Sequence, residues 1–483
     1  MEKLFGTDGI RDTANTKILT PVPLARLGQA IGWLLRNERG IFSTAAPART
    51  PRTGYSSANA FKRPMVRDRV LIGRDTRTSG PMISAALAAG LLSQGVNVVE
   101  GGVLPTPAIA HITREMGALL GVVISASHNP ANDNGVKLIS PEGFKIPDAA
   151  EERIEALMRA NVPDALTGPE VGDLALETGF DPVTRLSPVA TKYAQDLVGR
   201  AKAWGLSLKG VRVVLDCANG ATRLVAPFIF EALGAKVVAT GTDGDGSKIN
   251  NACGALHPDE MARRVVAEKA DLGLSFDGDG DRLIVADEKG QVRDGDFILA
   301  VCARQLKQGG GLDPAVVVGT EMSNLGLELS LKSEGVRLVR AKVGDRFVSQ
   351  EMQAGGLLLG GEQSGHLLFF EDSTTGDGIL SGLQVLRAMQ HFGKSWSELC
   401  RCLTRLPQVL RSVRVLRKPQ FDSVPRIVEE RKKIEKRLGA RGRLVLRYSG
   451  TEPVARIMIE GDDQAKIEKM AIELGDVFRE ELG

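Results

Sequence analysis

The sequence predicts an α/β protein built from several domains. Its 483 residues exceed the ~100–200 of a typical domain, and 43% are hydrophobic and 25% charged, as in ordinary globular proteins. One strand–helix–strand pattern occurs three times along the chain, and the C-terminal part follows a different pattern. We therefore expect three similar α/β domains followed by a smaller α+β domain.

Each repeat combines a valine-rich strand, an apolar helix and a second strand. The repeats cover residues 69–102, 211–241 and 315–342. In each of them a glycine follows the helix, where a residue with positive φ commonly ends the last turn. These glycines are Gly95, Gly234 and Gly335. Because strands joined through a helix pair in parallel, each repeat predicts a parallel strand pair within its own domain.

Composition changes along the chain suggest the domain boundaries. Residues 42–67 are rich in Ser, Ala, Pro and Arg and lack periodicity, so we interpret them as a flexible surface insertion. After residue 405, alternating strands and charged helices replace the repeat. The predicted domains are domain I at 1–180, domain II at 181–290, domain III at 291–404 and domain IV at 405–483.

Charge and cysteine content exclude several classes of function. A net charge of +3 leaves no basic footprint for nucleic acid. No apolar run approaches the ~18 residues of a membrane span, and no signal-peptide pattern is visible. The five cysteines are scattered without metal-site spacing, which is typical of reduced thiols. We expect a cytoplasmic protein that binds neither nucleic acid nor membranes.

A small serine follows a predicted buried strand in the segment SASHNPANDNG, residues 125–135. The apolar strand at 118–124 would hold the loop in place, and the loop then presents Ser127 with His128 beside it. An ordinary capped turn is the alternative. If the loop instead serves to present Ser127, the segment predicts a nucleophilic hydroxyl.

Three aspartates alternate with glycines in DGDGDR, directly after the apolar strand at 272–276. Asp277, Asp279 and Asp281 repel one another unless a cation neutralises them, and hard oxygen ligands suit Mg²⁺. An EF-hand does not fit, because Arg282 stands where a calcium loop needs glycine and strands flank the loop. An Asp-Gly turn remains the alternative. Since protein-bound Mg²⁺ commonly contacts phosphate, the segment predicts a phosphorylated ligand.

The segment RYSGTEPVAR at 447–456 collects guanidinium groups, hydroxyls and backbone N–H groups around one tight loop. This is the inventory of a phosphate site, although Ser-Gly-Thr loops are also common turns. The candidate phosphate-binding residues are Arg447, Ser449, Gly450, Thr451 and Arg456.

A fourth polar segment is GGEQSGHLLF, residues 360–369. If it is extended, alternation places Glu362, Ser364 and His366 on one face, where they could bind sugar hydroxyls. Considered alone, the segment is more simply explained as a hairpin with an internally satisfied histidine.

Several basic residues stand near these segments. Arg11, Arg74 and Arg77 lie beside glycine turns, which suits anion binding, although each alone is an ordinary surface charge. Lys137 follows the serine loop, and its positively charged side chain could lie close to Ser127, although considered alone it is an ordinary exposed lysine.

Over nearly its whole length the sequence resembles the α-D-phosphohexomutase superfamily. The signatures SASHNP, DGDGDR, GEQSGH and RYSGTEP stand in the order and spacing of that superfamily. ISASHNP, GEQSGH, KINNACGA (248–255) and KVGDRFV (342–348) resemble the branch that acts on amino-sugar phosphates. The resemblance implies the four-domain phosphohexomutase architecture, in which three similar α/β domains with mixed sheets and a C-terminal α+β domain surround a central cleft. The insertion at 42–67 departs from the family pattern.

The resemblance also implies roles for individual residues. Ser127 would be the phosphorylated catalytic serine, and it would share Mg²⁺ with Asp277, Asp279 and Asp281. Other residues would surround the phosphoserine, and two of them, Lys137 and His366, would be candidates for proton transfer. These surrounding catalytic residues would be Arg11, His128, Lys137 and His366. The substrate-binding residues would be Arg282, which would also brace the metal site, and Glu362, Ser364, Arg447, Ser449, Gly450, Thr451 and Arg456.

The implied reaction interconverts glucosamine 6-phosphate and glucosamine 1-phosphate. The phosphoserine would phosphorylate the 1-hydroxyl, and the resulting glucosamine 1,6-bisphosphate, the intermediate and activator, would return its 6-phosphate to the serine. The product would supply UDP-N-acetylglucosamine and cell-wall synthesis, and the resemblance suggests a homodimer. The alternatives are a phosphomannomutase or phosphoglucomutase, and a non-catalytic protein that binds sugar phosphates.

Overall fold

A computed structural model shows four domains in the order that the sequence predicts. The described residues are 3–6, 8–44, 68–160, 176–177, 186–449 and 452–483. Within these ranges, no helix combines the length and the apolar character needed to cross a bilayer.

Domain I contains a six-stranded mixed sheet. Its elements are β1 (Ile10–Thr13), α1 (Pro21–Asn37), β2 (Arg69–Arg74), α2 (Gly80–Ser93), β3 (Asn97–Val103), α3 (Thr106–Glu115), β4 (Leu120–Ile124), β5 (Asp133–Ile139), α4 (Asp148–Arg159) and β6 (Leu176–Glu177). The strand order is β1-β5-β4-β2-β3-β6, with antiparallel pairing only at β1–β5 and β5–β4 among these strands. Val70 and Ile72 pack with α1 and α2, while Leu71 packs with α3, so apolar residues cover both faces of the sheet.

Domain II contains a five-stranded mixed sheet. Its elements are α5 (Pro188–Ala203), β7 (Arg212–Asp216), α6 (Val225–Ala232), β8 (Lys236–Thr240), α7 (Asp259–Ala267), β9 (Leu272–Phe276), β10 (Leu283–Asp287) and β11 (Val292–Arg293). The order is β11-β10-β9-β7-β8. β7 is parallel to β8 and β9, whereas β9 and β10 form an antiparallel pair. The aspartate segment is therefore the turn between β9 and β10.

Domain III repeats the plan with four strands. Its elements are α8 (Gly295–Gln308), β12 (Val316–Thr320), α9 (Leu325–Ser333), β13 (Arg337–Ala341), α10 (Asp345–Gly355), β14 (Leu359–Gly361), β15 (Leu367–Phe369), α11 (Gly378–Phe392) and α12 (Trp396–Leu399). The order is β13-β12-β14-β15, and β14 and β15 form an antiparallel hairpin. The predicted parallel pair is β12–β13.

Domain IV is the predicted α+β domain. Its elements are β16 (Gln408–Arg414), α13 (Pro425–Leu438), β17 (Arg443–Tyr448), β18 (Val454–Glu460) and α14 (Gln464–Leu482). The antiparallel sheet has the order β16-β18-β17 and shares an apolar core with both helices. Domain IV meets domain III through polar bonds that include Asn324 Nδ2 to Glu460 Oε1 at 3.1 Å and Arg443 Nη2 to the carbonyl of Ser323 at 2.9 Å.

The helix-ending glycines are confirmed, because Gly95, Gly234 and Gly335 all have positive φ, at 74°, 100° and 66°. The start of the predicted insertion is wrong. Phe42 is fully buried in the core of domain I, and the Thr44 hydroxyl donates to Glu142 at 3.2 Å. The rest of that segment, residues 45–67, lies outside the described residues.

Candidate active site

The loop after β4 brings a strained serine to the junction of domains I and II. Ser127 is 1% exposed and has φ +51°, a left-handed conformation that costs a non-glycine residue about 1–2 kcal/mol. Its hydroxyl donates to Asp277 Oδ2 at 2.6 Å, and its Oγ lies 3.3 Å from His128 Nδ1. Strain in a buried loop is typical of functional sites, and here it orients the hydroxyl toward the aspartate segment.

Arg77 holds this loop in place. The side chain is fully buried, and its Nε donates to Asp75 Oδ2 at 2.9 Å. Its remaining N–H groups donate to backbone carbonyls of the serine loop. These carbonyls belong to Ser127, Asn129, Pro130 and Asp133. Asn250, from the KINNACGA segment, also donates to the Ser127 carbonyl at 2.9 Å. The prediction of a surface or anion-binding Arg77 is therefore wrong, because its donors are used internally.

Replacing Arg77 with lysine is expected to lower the free energy of unfolding by about 3 kcal/mol. An ammonium has three N–H donors and no planar fork, so buried carbonyls of the loop lose their partners. Urea denaturation measures the effect, and Arg263→Lys is the control because that side chain is 76% exposed. An unchanged unfolding midpoint in Arg77→Lys would contradict this account of the loop.

The three aspartates of domain II form a buried cluster. One carboxylate oxygen from each residue lies within 4.8 Å of the other two, and all three residues are buried. Two oxygens of the cluster, Asp279 Oδ1 and Asp281 Oδ1, have no hydrogen-bond partner in the described part of the chain. Because a buried anionic oxygen without a partner is costly, the cluster fits a hard divalent cation such as Mg²⁺.

Two cationic side chains flank the cluster. Lys137 Nζ lies 2.9 Å from Asp8 Oδ2, 3.5 Å from Asp279 Oδ2 and 3.8 Å from Asp281 Oδ2. Burial works to lower the pKa of Lys137, but these carboxylates outweigh it and raise that pKa. His366 Nδ1 lies 3.6 Å from Asp281, and although burial opposes it, the carboxylate raises the pKa of His366 to about 9. Lys137 is therefore buried and is not an ordinary exposed lysine. Asp8, its nearest carboxylate partner, was not among the residues that the sequence predicted.

The other predicted neighbours of the serine also converge here. Burial, together with Arg282 and Arg11, lowers the pKa of His128 to about 4. Arg11 Nη2 contacts Asp8 Oδ2 at 2.5 Å, and the backbone N–H of Arg282 donates to Asp277 Oδ1 at 3.1 Å. The hydroxyl is therefore surrounded by groups that can stabilise a phosphate.

The GEQSGH segment is a hairpin tip and not one extended face. Glu362 Oε1 accepts from the backbone N–H of Gly344 at 2.9 Å, and Ser364 Oγ donates to Glu362 Oε2 at 3.2 Å. His366 directly precedes β15, where its backbone forms an isolated bridge with Arg282, and its side chain contacts Asp281 instead. Glu362 and Ser364 therefore stay together, while His366 belongs to the aspartate cluster.

The candidate phosphate loop joins β17 and β18. Arg447 and Arg456 stand directly opposite each other in the sheet, an unfavourable pairing that an anion between them would relieve. The Arg456 side chain forms an ion pair with Glu452 at 3.0 Å, whereas no carboxylate among the described residues forms one with the Arg447 side chain. The Ser449 carbonyl accepts from Lys418 Nζ at 2.6 Å, a lysine that sequence reasoning missed. The candidates that lie outside the described residues are Gly450 and Thr451.

A cavity of about 300 Å³ opens beside the aspartate cluster, between domains I and III. Its lining includes Asp281, Lys137 and His366 from the candidate site, together with Arg346 and Thr374. A cavity of this size is within the range of small-molecule sites.

Four sequence profiles of one family match nearly the whole chain. They are described as phosphoglucomutase/phosphomannomutase alpha/beta/alpha domain I at residues 39–163, domain II at 191–290, domain III at 294–406, and the C-terminal domain at 410–476. The chain therefore belongs to the phosphoglucomutase/phosphomannomutase family and is a phosphohexomutase, an enzyme of the isomerase class. The resemblance seen in the sequence is confirmed.

Relatives that match this chain over its full or nearly full length are named phosphoglucosamine mutase. The phosphoglucosamine mutase of Desulfotalea psychrophila is 46% identical over 99% of both chains, and that of Geotalea daltonii is 43% identical over 100% of this chain and 99% of the relative.

Solved structures share the fold at lower identity. A phosphoglucomutase/phosphomannomutase family protein from Burkholderia thailandensis is 23% identical, with a TM-score of 0.75 over 100% of this chain and 98% of that one. Aspergillus fumigatus N-acetylphosphoglucosamine mutase, in complex with GlcNAc-6P and magnesium, is 18% identical, with a TM-score of 0.66 over 99% of this chain and 96% of that one.

Proposed function

We propose that this protein interconverts glucosamine 6-phosphate and glucosamine 1-phosphate through a phosphorylated Ser127. The observation that carries the proposal is the 2.6 Å hydrogen bond between Ser127 Oγ and Asp277, within a buried aspartate cluster suited to Mg²⁺. A binding protein needs neither a strained serine that faces this cluster nor the two buried carboxylate oxygens beside it that lack a hydrogen-bond partner among the described residues. The full-length relatives named phosphoglucosamine mutase support the amino sugar as substrate.

In the first half-reaction, phosphorylated Ser127 donates its phosphoryl group to the 1-hydroxyl of glucosamine 6-phosphate. The bond from phosphorus to Oγ breaks, a bond to the sugar oxygen forms, and the hydroxyl proton leaves to a nearby side chain. Mg²⁺ held by the aspartates and the serine phosphate would offset negative charge on the transferred group. Arg11, Lys137 and His128 would add donors around it. Lys137 and His366 stay the predicted candidates for proton transfer; their raised pKa values favour the acid role, so either would first have to lose its own proton to accept one from the sugar.

In the second half-reaction, the bisphosphate turns over and returns its 6-phosphoryl group to Ser127. Glu362 and Ser364 would hold sugar hydroxyls, and the loop between β17 and β18 would hold the phosphate that is not reacting. Arg447 supports that role, because it faces Arg456 across the sheet and has no anionic partner in the described ranges. Glucosamine 1,6-bisphosphate is then both the intermediate and the activator that rephosphorylates the enzyme.

The same chemistry on glucose or mannose phosphates is the second candidate function, because the proposed catalytic groups act on the phosphoryl group and its acceptor hydroxyl and not on the substituent at C2. The test compares kcat/KM for glucosamine 6-phosphate with kcat/KM for glucose 6-phosphate and mannose 6-phosphate. We expect the amino sugar to be preferred. A higher value for glucose 6-phosphate would overturn the assignment of the substrate but not the phosphoserine mechanism.

We further propose that the product feeds UDP-N-acetylglucosamine and cell-wall synthesis, and that the enzyme works in the cytoplasm. The five cysteines support a reducing compartment, because none forms a disulfide. A homodimer stays a prediction, which size-exclusion chromatography with light scattering would test.

A further inference from the structure

We propose that Thr106, the first residue of α3, is a positioning residue for the aspartate cluster: it turns Asp279 so that Oδ1 is presented to the metal ion. Thr106 belongs to domain I and Asp279 to domain II. The inference rests on the proposed Mg²⁺ site and not on the identity of the sugar.

Two hydrogen bonds join these residues. The Thr106 hydroxyl donates to Asp279 Oδ2 at 2.7 Å, and the Thr106 backbone N–H donates to the Asp279 carbonyl at 2.9 Å. Thr106 is 3% exposed and Asp279 is 1% exposed, so water competes little with either bond. Both the side chain and the backbone of Asp279 are therefore fixed from the same residue.

The bond to Oδ2 distinguishes the two oxygens of the carboxylate. Oδ2 also lies 3.5 Å from Lys137 Nζ, whereas Oδ1 is buried and has no partner among the described residues. Asp281 shows a similar division, because its Oδ2 faces Lys137 and His366 while its Oδ1 has no hydrogen-bond partner among the described residues and only a 3.9 Å contact with Arg282 Nε. Outer hydrogen bonds of this kind orient metal-binding side chains and strengthen metal binding.

The start of α3 is built to make this contact. The first N–H groups of a helix have no partner within the helix, and the one at Thr106 is used by Asp279. Pro105 approaches the aspartate turn so closely that a Cβ on Gly280, which has φ +74°, would lie 3.3 Å from the Pro105 Cβ. The helix terminus thus docks on the turn at the junction where Ser127 meets Asp277.

The experiment compares Thr106→Ser with Thr106→Ala, two variants that differ only in the hydroxyl. The full-length protein is stripped of metal, and Mn²⁺ binding is measured by electron paramagnetic resonance without substrate. We expect Thr106→Ala to raise the Kd for Mn²⁺ about 10- to 100-fold, and we expect the Kd of Thr106→Ser to stay close to that of the parent protein. The Mg²⁺ concentration for half-maximal activity should shift by the same factor.

Thr113→Val is the matched control. Thr113 lies on the same helix, is fully buried, and has a hydroxyl without a partner among the described residues. Its replacement is expected to leave the Kd for Mn²⁺ unchanged. A Kd in Thr106→Ala equal to that of Thr106→Ser, or an equal loss in Thr113→Val, would overturn the proposal. Because no sugar is present, failure of this test is distinguishable from failure of the substrate assignment.

Discussion

Replacing Ser127 with alanine is expected to lower kcat/KM for the mutase reaction by at least ~10⁴-fold, because in the proposed mechanism Ser127 carries the phosphoryl group between the two half-reactions. The variant should fold, because alanine adopts the left-handed conformation at a similar cost and the carbonyl contacts from Arg77 and Asn250 use only the backbone. A coupled assay of glucosamine 1-phosphate formation measures the loss.

Intact-mass analysis separates this mechanism from a binding function. After incubation with glucosamine 1,6-bisphosphate and Mg²⁺, we expect the parent protein to gain one phosphate and Ser127→Ala to gain none. Ser207→Ala, at an exposed serine of domain II, is the control and should be phosphorylated like the parent. Phosphate on Ser127→Ala, or full activity of that variant, would reject Ser127 as the carrier.

Replacing Asp277 with asparagine is expected to affect metal binding and metal-free stability differently. Burial, followed by Asp281 and Asp279, raises the pKa of Asp277 well above its usual range, so an ionised carboxylate is unfavourable there without a cation. Asparagine removes that charge and keeps the shape. The metal-free variant should therefore be at least as stable as the parent, while Mg²⁺ affinity and kcat both fall, kcat by at least ~10²-fold.

Thermal unfolding with and without Mg²⁺ measures the metal-free stability and the stabilisation by the bound ion. An ion at a hundred times its Kd stabilises the parent by about 2.7 kcal/mol, and this gain should disappear in Asp277→Asn. Asp259→Asn is the control, because Asp259 is an exposed aspartate of the same domain, and it should keep the full gain. An unchanged Mg²⁺-dependent rise in Tm for Asp277→Asn would contradict the assignment of the metal site.

Residues from separate domains form the candidate active site, and a small number of polar contacts join them. Domain I supplies Ser127, Lys137 and Thr106, and domain II supplies the aspartates that contact all three. Domain IV has its own apolar core, and the candidate phosphate loop lies on its separate sheet. This arrangement suits the reaction that we propose, in which the bisphosphate is released from one binding mode and held again in the other.

Local sequence patterns were sufficient for the parallel strand pairs and for the aspartate cluster. Alternation and helix-ending glycines predicted the parallel pairs at β2–β3, β7–β8 and β12–β13, because backbone preferences act over a few neighbouring residues. The aspartate cluster could also be predicted, since Asp277, Asp279 and Asp281 belong to one turn and their mutual repulsion is visible in the sequence alone.

What the sequence by itself determined, then, is the order of elements and the identity of the short polar loops. Only the tertiary structure decided how those loops are held. The hydroxyl of Thr106 meets Asp279 across 173 positions of the chain, and Arg77 gives its donors to a loop 50 positions away. An arginine or threonine beside a turn looks the same whether it faces solvent or a buried carbonyl. Burial and the docking of one domain on another remove that ambiguity, because a buried donor must find its partner wherever packing brings one.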